Sequence, residues 1–488
     1  MKAYIQSLEG LSAKQLTLML ARKRQAEVAG IGVLGMGCRF PGGLDSPALF
    51  WQALKNGRVL AGPHPEGPPG AGGAPRWDPK DFAAAKCVAQ GGFLNHVDRF
   101  DAGRFGIDTQ EATYMDPQHR LLLECTWQAL DDAGMQPGDL RGQNVGVYVG
   151  ISTSEFLYAS LHKGLNDAGL SPYMGIGTAL SASAGRIAMA IGSSGPALTV
   201  DTACSSALSA LHLATNALRR GECDWAIVGA SHLLLSPLTF LVFDKAGMLS
   251  PTGESRPFDA GANGHVRGEG CGVLLLRRAL EAKNEGQCLW GVIRSTAVHQ
   301  NGQRPEMSAT SGLSQREVID KTLAKIELHP HEVQYVEAQG TGSRLGGVIE
   351  AETLADAYQR NGGHTPPLYI GSAKANLGHM ETASGMASMV KTLSALRYGA
   401  IPPQVNFHTP DPDIPWHRTS LRVATETIAW PEAEWRRAGI SSFGFTGTNA
   451  HVIVEAASTS CEPEALPHSR ETAGTAHWPK DNFWKTTA

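Results

Sequence analysis

Short apolar runs of strand length, separated by stretches long enough for helices, recur along most of the chain. QNVGVYVG, GPALTVDTA, WAIVGASHLLL, GCGVLLLRR, LWGVIRSTAV, VQYVEAQG, LYIGSAKAN and NAHVIVEAA follow one another in this way. Strands alternating with helix-length segments predict α/β layers. Ahead of them, VAGIGVLGMGCRF turns apolar and glycine-rich, as a buried first strand with a close turn requires, and a Pro/Gly loop occupies residues 61 to 76. Residues 11 to 27, LSAKQLTLMLARKRQAE, predict an amphipathic helix with Ser12 as N-cap and Leu16, Met19 and Leu20 on one face. This leader over residues 1–28 suits either a docking or dimer-contact element or a linker helix packed on its own domain. The globular body starts near Ala29. After Ala457 periodicity is lost, so residues 458–488 read as a loose, flexible tail, with Trp478 and Trp484 available to dock it.

The bulk properties narrow the function classes. A chain of 488 residues that is 42% apolar can bury a large core, as one large or two fused α/β units. Its formal net charge of −4 gives no general drive toward nucleic acid. No window approaches about 18 uninterrupted apolar residues, and MKAYIQSLEG lacks the layout of a secretory signal, so no membrane association and a cytoplasmic location are expected. The eight cysteines (Cys38, Cys87, Cys125, Cys204, Cys223, Cys271, Cys288 and Cys461) form no CxxC pair and no zinc spacing. No metal is expected, and most of these thiols should be reduced, buried and inert.

Cys204 departs from that background. In GPALTVDTACSSALSALHLATNALRRGE an apolar strand precedes it and a helix follows, with Leu208, Leu211, Ala214 and Leu218 on one face and Gly221 as a stop. A cysteine at a helix N-terminus meets unpaired N–H groups and the positive end of the helix dipole, which favour thiolate over thiol and suit an oxyanion. Small neighbours Ala203, Ser205 and Ser206 leave room for a substrate carbonyl.

DTACSSAL resembles the nucleophile segment of the β-ketoacyl synthases (ketosynthases) of modular type I polyketide synthases. GMGCRFPGG (35–43), MDPQHRLLLE (115–124), KAGMLSPTGESRPFDAGANG (245–264), VRGEGCGV (266–273), GSAKANLGH (371–379) and SSFGFTGTNAHVIVE (441–455) are similar to further landmarks of that family, in order. The resemblance implies a thiolase-like α/β fold of two related βαβαβ-type halves, residues 29–280 and 281–457, in a layered αβαβα arrangement, and a homodimer. It also implies substrates delivered on carrier-protein phosphopantetheine with no permanently bound cofactor. Acyl carrier proteins and other polyketide synthase or peptide synthetase subunits would be the partners.

By the same resemblance, Cys204 takes the acyl chain, and its own N–H and that of Phe445 form the oxyanion hole, with Gly444 letting Phe445 swing as a gate. His379 is the second of the family's two histidines, which stabilise the enolate formed when a malonyl thioester loses carbon dioxide. Lys374 supports the charge network, with Glu381 as a candidate partner, and Thr341 and Ser343 offer hydroxyls to the pantetheine arm. The first histidine is absent: Gln339 stands in its place, in EAQGTGS (337–343). An amide donates a hydrogen bond but carries no proton or positive charge at neutral pH. LGGVIEA (345–351) and HQNGQRPEMSATS (299–311) also depart from the family pattern. Losing one charge-stabilising donor commonly costs on the order of 10²-fold in rate. A transacylating, non-elongating ketosynthase is therefore the expected function. A working decarboxylative condensing enzyme and a catalytically silent carrier-binding scaffold are the alternatives.

Overall fold

A computed structural model describes residues 10–19, 29–63, 90–162, 171–359, 366–458 and 481–482. Within these, one eleven-stranded sheet runs through the body. Its strands are β1 (Ile31–Arg39), β2 (Val145–Gly150), β3 (Ala197–Val200), β4 (Trp225–His232), β5 (Gly270–Arg278), β6 (Gly291–Gln300), β7 (Tyr335–Glu337), β8 (Leu368–Gly371), β9 (Leu421–Val423), β10 (Arg437–Phe443) and β11 (Thr448–Glu455). Each of the apolar runs picked out in the sequence contributes one of them.

The strand order is β9-β8-β7-β10-β11-β6-β1-β5-β4-β2-β3. Outward from the centre, β1 pairs antiparallel with β5, β5 antiparallel with β4, β4 parallel with β2 and β2 parallel with β3. On the other side β6, β11, β10, β7 and β8 repeat the same sequence of senses. The two halves are thus topological repeats, joined where β1 pairs antiparallel with β6.

Helices complete the layers. Helix α1 (Pro117–Asp132) and helix α2 (Ala182–Ile191) cover the first half from outside. Helix α3 (Ser206–Arg220) contacts strands of both halves, as does helix α6 (Ser384–Tyr398). Helix α4 (Gly312–Ala324) and helix α5 (Arg344–Ala357) lie over the second half. The order is helix, sheet, helix, sheet, helix, the thiolase-like α/β arrangement. In α3, Leu208, Leu211, Ala214 and Leu218 are buried as the spacing predicts, and so are Ala207 and Ala210. In α6 every residue from Ser384 to Leu396 is buried. Helices apolar or small nearly all round belong in the interior, and these two form the middle layer. Gly221 ends α3 at φ +73°, a left-handed C-cap that glycine adopts without a Cβ penalty.

Close packing of α1 on β1 depends on glycine. A Cβ on Gly37 would lie 2.0 Å from the Cys125 carbonyl oxygen. Residues 13–19 are helical, with Ser12 and Gln15 capping each other reciprocally. Leu16 is half-buried and Met19 exposed, while Leu20 and most of the remaining leader lie outside the described residues. In the tail, Asp481–Asn482 pair antiparallel with Arg99–Phe100; Trp478 and Trp484 are outside the described residues, as is most of the Pro/Gly loop. Cys38, Cys125, Cys204, Cys223 and Cys271 are buried free thiols, Cys288 is disulfide-bonded, and Cys87 and Cys461 are not described. Among the described residues no helix is long and apolar enough to cross a membrane.

Gly37→Ala should force α1 away from β1 and lower stability by about 1–3 kcal/mol, the usual cost of overpacking, read from the denaturant midpoint. Gly138→Ala, with nothing within 4 Å of the new Cβ, should leave the midpoint where it was.

Candidate active site

Strand β3 ends at Val200, and the chain turns into α3 through Ala203–Ser205, a single 3₁₀ turn. Ala203 sits at φ +53°, in the left-handed region that residues with a Cβ seldom adopt. The turn is held from several sides. The Asp201 carboxylate accepts the Ala203 N–H at 2.9 Å, and Ser206 Oγ accepts the Thr202 N–H at 2.9 Å. From β10, Ser442 Oγ donates to the Cys204 carbonyl at 2.7 Å. This corner puts the Cys204 side chain on the wall of a cavity of about 480 Å³.

Gln339, Thr341, Ser343, His379 and Phe445 line the same cavity. Glu381 and Gly444 do so as well, so of the site residues named in the sequence only Lys374 does not reach the wall. Lys374 lies behind the wall, 4% exposed, within electrostatic reach of both Cys204 and His379. Segments 299–311 and 345–351 reach the same cavity, through Arg304, Ser308 and Ser311 from the first and Gly346, Gly347 and Glu350 from the second.

The backbone N–H groups of Phe445 and of Cys204 itself both point at the thiol. Gly444 brings Phe445 in: a Cβ there would stand 2.6 Å from the Thr202 carbonyl oxygen. The electrostatics differ from the thiolate expected at a helix N-terminus. Burial pushes the Cys204 thiol up to about 12 and the Glu381 carboxylate adds to this, while Lys374 and the two N–H groups oppose it. Desolvation outweighs the helix terminus, so the resting group is a thiol at neutral pH.

His379 is buried, and its ring Nδ1 accepts the Glu381 backbone N–H at 3.1 Å and lies 2.8 Å from Ser384 Oγ. An Nδ1 that accepts from an amide carries no proton, so the ring proton resides on Nε2, the nitrogen left for a substrate. Burial, then the Lys374 ammonium and His265, hold the imidazole well below the usual histidine range. His379 is thus a neutral N–H donor.

The charges around it pair differently from the expectation that joined Lys374 to Glu381. Burial works to raise Glu381, yet the Arg267 guanidinium, 2.7 Å away, and His232 hold its carboxyl well below the ordinary carboxylate range. Lys374 is lowered by burial and supported instead by the Glu337 and Glu350 carboxylates. Glu337 also pairs with Lys391 at 2.7 Å and accepts from Tyr335 and the Ala373 N–H. The fold separates the two systems: Arg267 follows His265 on one wall, while Glu337 and Glu350 belong to the second half.

Gln339 is not the free donor its sequence position suggested. Its Nε2 donates to the Phe443 carbonyl at 3.1 Å, and its Oε1 accepts the Phe443 N–H at 3.3 Å. Its backbone N–H and that of Gly340 donate to Glu350 at 2.7 and 2.9 Å. The amide therefore fastens β10 to the turn after β7.

Sequence reasoning passed over Glu350, Arg267, Ser442 and His265. His265 is buried, lines the cavity and packs edge-on to His379 with ring centroids 5.2 Å apart. The one sequence signal was its place between two family-like segments, where it belonged to neither.

Residues 29–282 match the β-ketoacyl synthase N-terminal domain, residues 290–408 the β-ketoacyl synthase C-terminal domain, and residues 410–475 the ketoacyl-synthetase C-terminal extension. The chain belongs to the β-ketoacyl synthase family. It is 42% identical over 93% of its length to erythronolide synthase EryA3 of Saccharopolyspora erythraea, and 43% identical over 88% to a phenolphthiocerol/phthiocerol polyketide synthase of Mycobacterium tuberculosis (strain CDC 1551 / Oshkosh). The ketosynthase chain spans only 14% and 23% of those two proteins. The ketosynthase from module 6 of the bacillaene synthase of Bacillus subtilis 168 superposes with a TM-score of 0.80 at 34% identity, over 88% of this chain and 73% of that one. The oxazolomycin ketosynthase domain of Streptomyces albus JA3453 gives 0.82 at 32% identity, over 88% and 75%.

Because only the thiolate is alkylated, iodoacetamide labelling of Cys204, followed by peptide mass, should still be accelerating at pH 10, where an ordinary thiol has levelled off. Lys374→Met removes an opposing positive charge and should slow labelling further at every pH up to 10.

Proposed function

We propose that this ketosynthase takes an acyl chain from a carrier-protein phosphopantetheine thioester onto Cys204 and passes it to a second acceptor without extending it. What supports acyl loading is the placement of Cys204 against two backbone N–H groups, with His379 as a neutral donor across the cavity. In this reading Phe445 supplies the second oxyanion N–H and gates the site on Gly444, Thr341 and Ser343 meet the pantetheine arm, and Lys374 stabilises charge as the thiol loses its proton. No permanently bound cofactor or metal takes part.

The observation that carries the non-elongating reading is the commitment of Gln339. Decarboxylating a malonyl thioester generates an enolate, whose charge needs preorganised donors. The Gln339 amide spends its oxygen and one N–H on Phe443 and has no ring proton to contribute. The retained Cys204, Lys374 and His379 weigh against a silent scaffold. The partners proposed are acyl carrier proteins, other polyketide synthase or peptide synthetase subunits, and a second copy of the chain. For the last, the support is β3, an edge strand with Leu198 half-exposed and no neighbour on its outer side among the described residues.

Intact mass after incubation with an acyl-carrier should show one acyl adduct, absent in Cys204→Ser. Malonyl-carrier should yield neither carbon dioxide nor a β-ketoacyl product above background. Robust extension by the wild-type chain would overturn the non-elongating reading, and extension gained by Gln339→His would strengthen it.

A further inference from the structure

His265 is a second imidazole at this site. It follows the turn Asn263–Gly264 and precedes Val266 and Arg267, which are tied to the His379 segment: the His379 N–H donates to the Val266 carbonyl at 2.6 Å, and the Gly268 N–H to the His379 carbonyl at 2.8 Å. Two adjacent stretches of backbone thus hold the two rings against each other, 5.2 Å apart at an interplanar angle of 70°. His265 is 6% exposed, and its Nε2 is buried with no hydrogen-bond partner. A buried polar nitrogen without a partner is destabilising, and natural structures leave few. Here the nitrogen belongs to a residue on the wall of the cavity that holds the Cys204 thiol.

Other polar side chains near the two rings already have partners of their own. Gln339 is bound to Phe443 through both ends of its amide. Arg267 donates to Glu381 and Thr239. Ser384 Oγ is at the Nδ1 of His379. Burial, opposed by Glu381 and reinforced by Arg267 and Lys374, brings the His265 imidazole down to about 4, so at neutral pH it is uncharged and has one ring proton to donate.

We propose that His265, in place of Gln339, is the group that joins His379 in hydrogen-bonding the substrate thioester during acyl transfer. In the loading step the Cys204 Sγ–carbonyl bond forms and the carbonyl–pantetheine sulfur bond breaks. The thiol proton of Cys204 ends on the departing pantetheine sulfur. The two imidazoles keep their protons throughout and act as donors to the carrier-bound thioester, while the N–H groups of Cys204 and Phe445 receive the oxyanion. The step is redox-neutral and needs no further reactant. This inference rests on the reading that Cys204 carries the acyl group, and not on the absence of extension.

The test is single-turnover loading from an acyl-carrier, followed by intact mass, with wild type, His265→Phe and His265→Gln. Phenylalanine keeps the ring contact with His379 and removes the nitrogen; glutamine restores a donor of similar reach. His265→Phe should lower the maximal loading rate at least tenfold, with the half-saturating carrier concentration within twofold of wild type, and His265→Gln should recover to within about threefold of wild type. Equal rates for wild type and His265→Phe overturn the proposal. So do equally slow rates for both variants, which would make the ring contact, and not the nitrogen, the contribution of His265. Iodoacetamide labelling of Cys204 verifies that each variant retains its site, and a variant that does not label is replaced by His265→Asn, held to the same criterion as His265→Gln. A wild-type chain that fails to load overturns the acyl-carrier reading itself. Wild-type loading together with extension overturns only the non-elongating reading, and the His265 comparison then stands on its own.

Discussion

The hydrogen bond from Ser442 Oγ to the Cys204 carbonyl joins the two halves of the molecule at the point where chemistry is proposed. Cys204 comes from the first half, at the corner between β3 and α3; Ser442, Gly444 and Phe445 come from the second, at the end of β10. The corner needs this grip because Ala203 occupies a left-handed backbone conformation, which a residue with a Cβ adopts at some cost. With the Cys204 carbonyl held, the amides of Cys204 and Phe445 converge on one sulfur. Gly444 lets the two backbones approach closely enough for that convergence.

Buried charge is organised around this corner in two separate systems. One is Arg267 with Glu381, reinforced by Thr239 and Glu155. The other is Lys374 and Lys391 with Glu337 and Glu350. Buried ion pairs add little net stability over well-packed apolar groups, yet removing one member leaves an uncompensated charge. Their value here is positional. Glu381 is fixed by Arg267, and the Glu381 backbone N–H in turn selects the tautomer of His379. Glu350 holds the Gln339–Gly340 turn, which ties that segment to β10.

Much of the architecture was legible because it follows from local pattern. The apolar runs became strands, Gly221 ended α3, and the position of Cys204 between strand and helix was plain from the residues alone. The thiol's electrostatic state was not legible, since a helix terminus is visible in sequence while the depth of burial that outweighs it is a tertiary property. The same limit applied to Gln339, whose amide is claimed by the Phe443 backbone 104 residues away. Lys374 and Glu381 stand seven positions apart in the chain yet belong to different charge systems, because the turn between them divides their side chains. His265 escaped notice because histidine carries no periodic signal, and only the fold brings it to His379.

The repeated strand order has a consequence for how such a molecule can diverge. Each half is a complete layer, but the cavity lies on neither; it is walled by the ends of elements from both. An outer helix such as α1 packs on the strands of its own half, whereas a change at the seam meets a residue of the other half. Reshaping this site is therefore a matter of matched pairs: a substitution at the Cys204 corner has to be accommodated by Ser442 and Phe445, which the other half of the chain supplies.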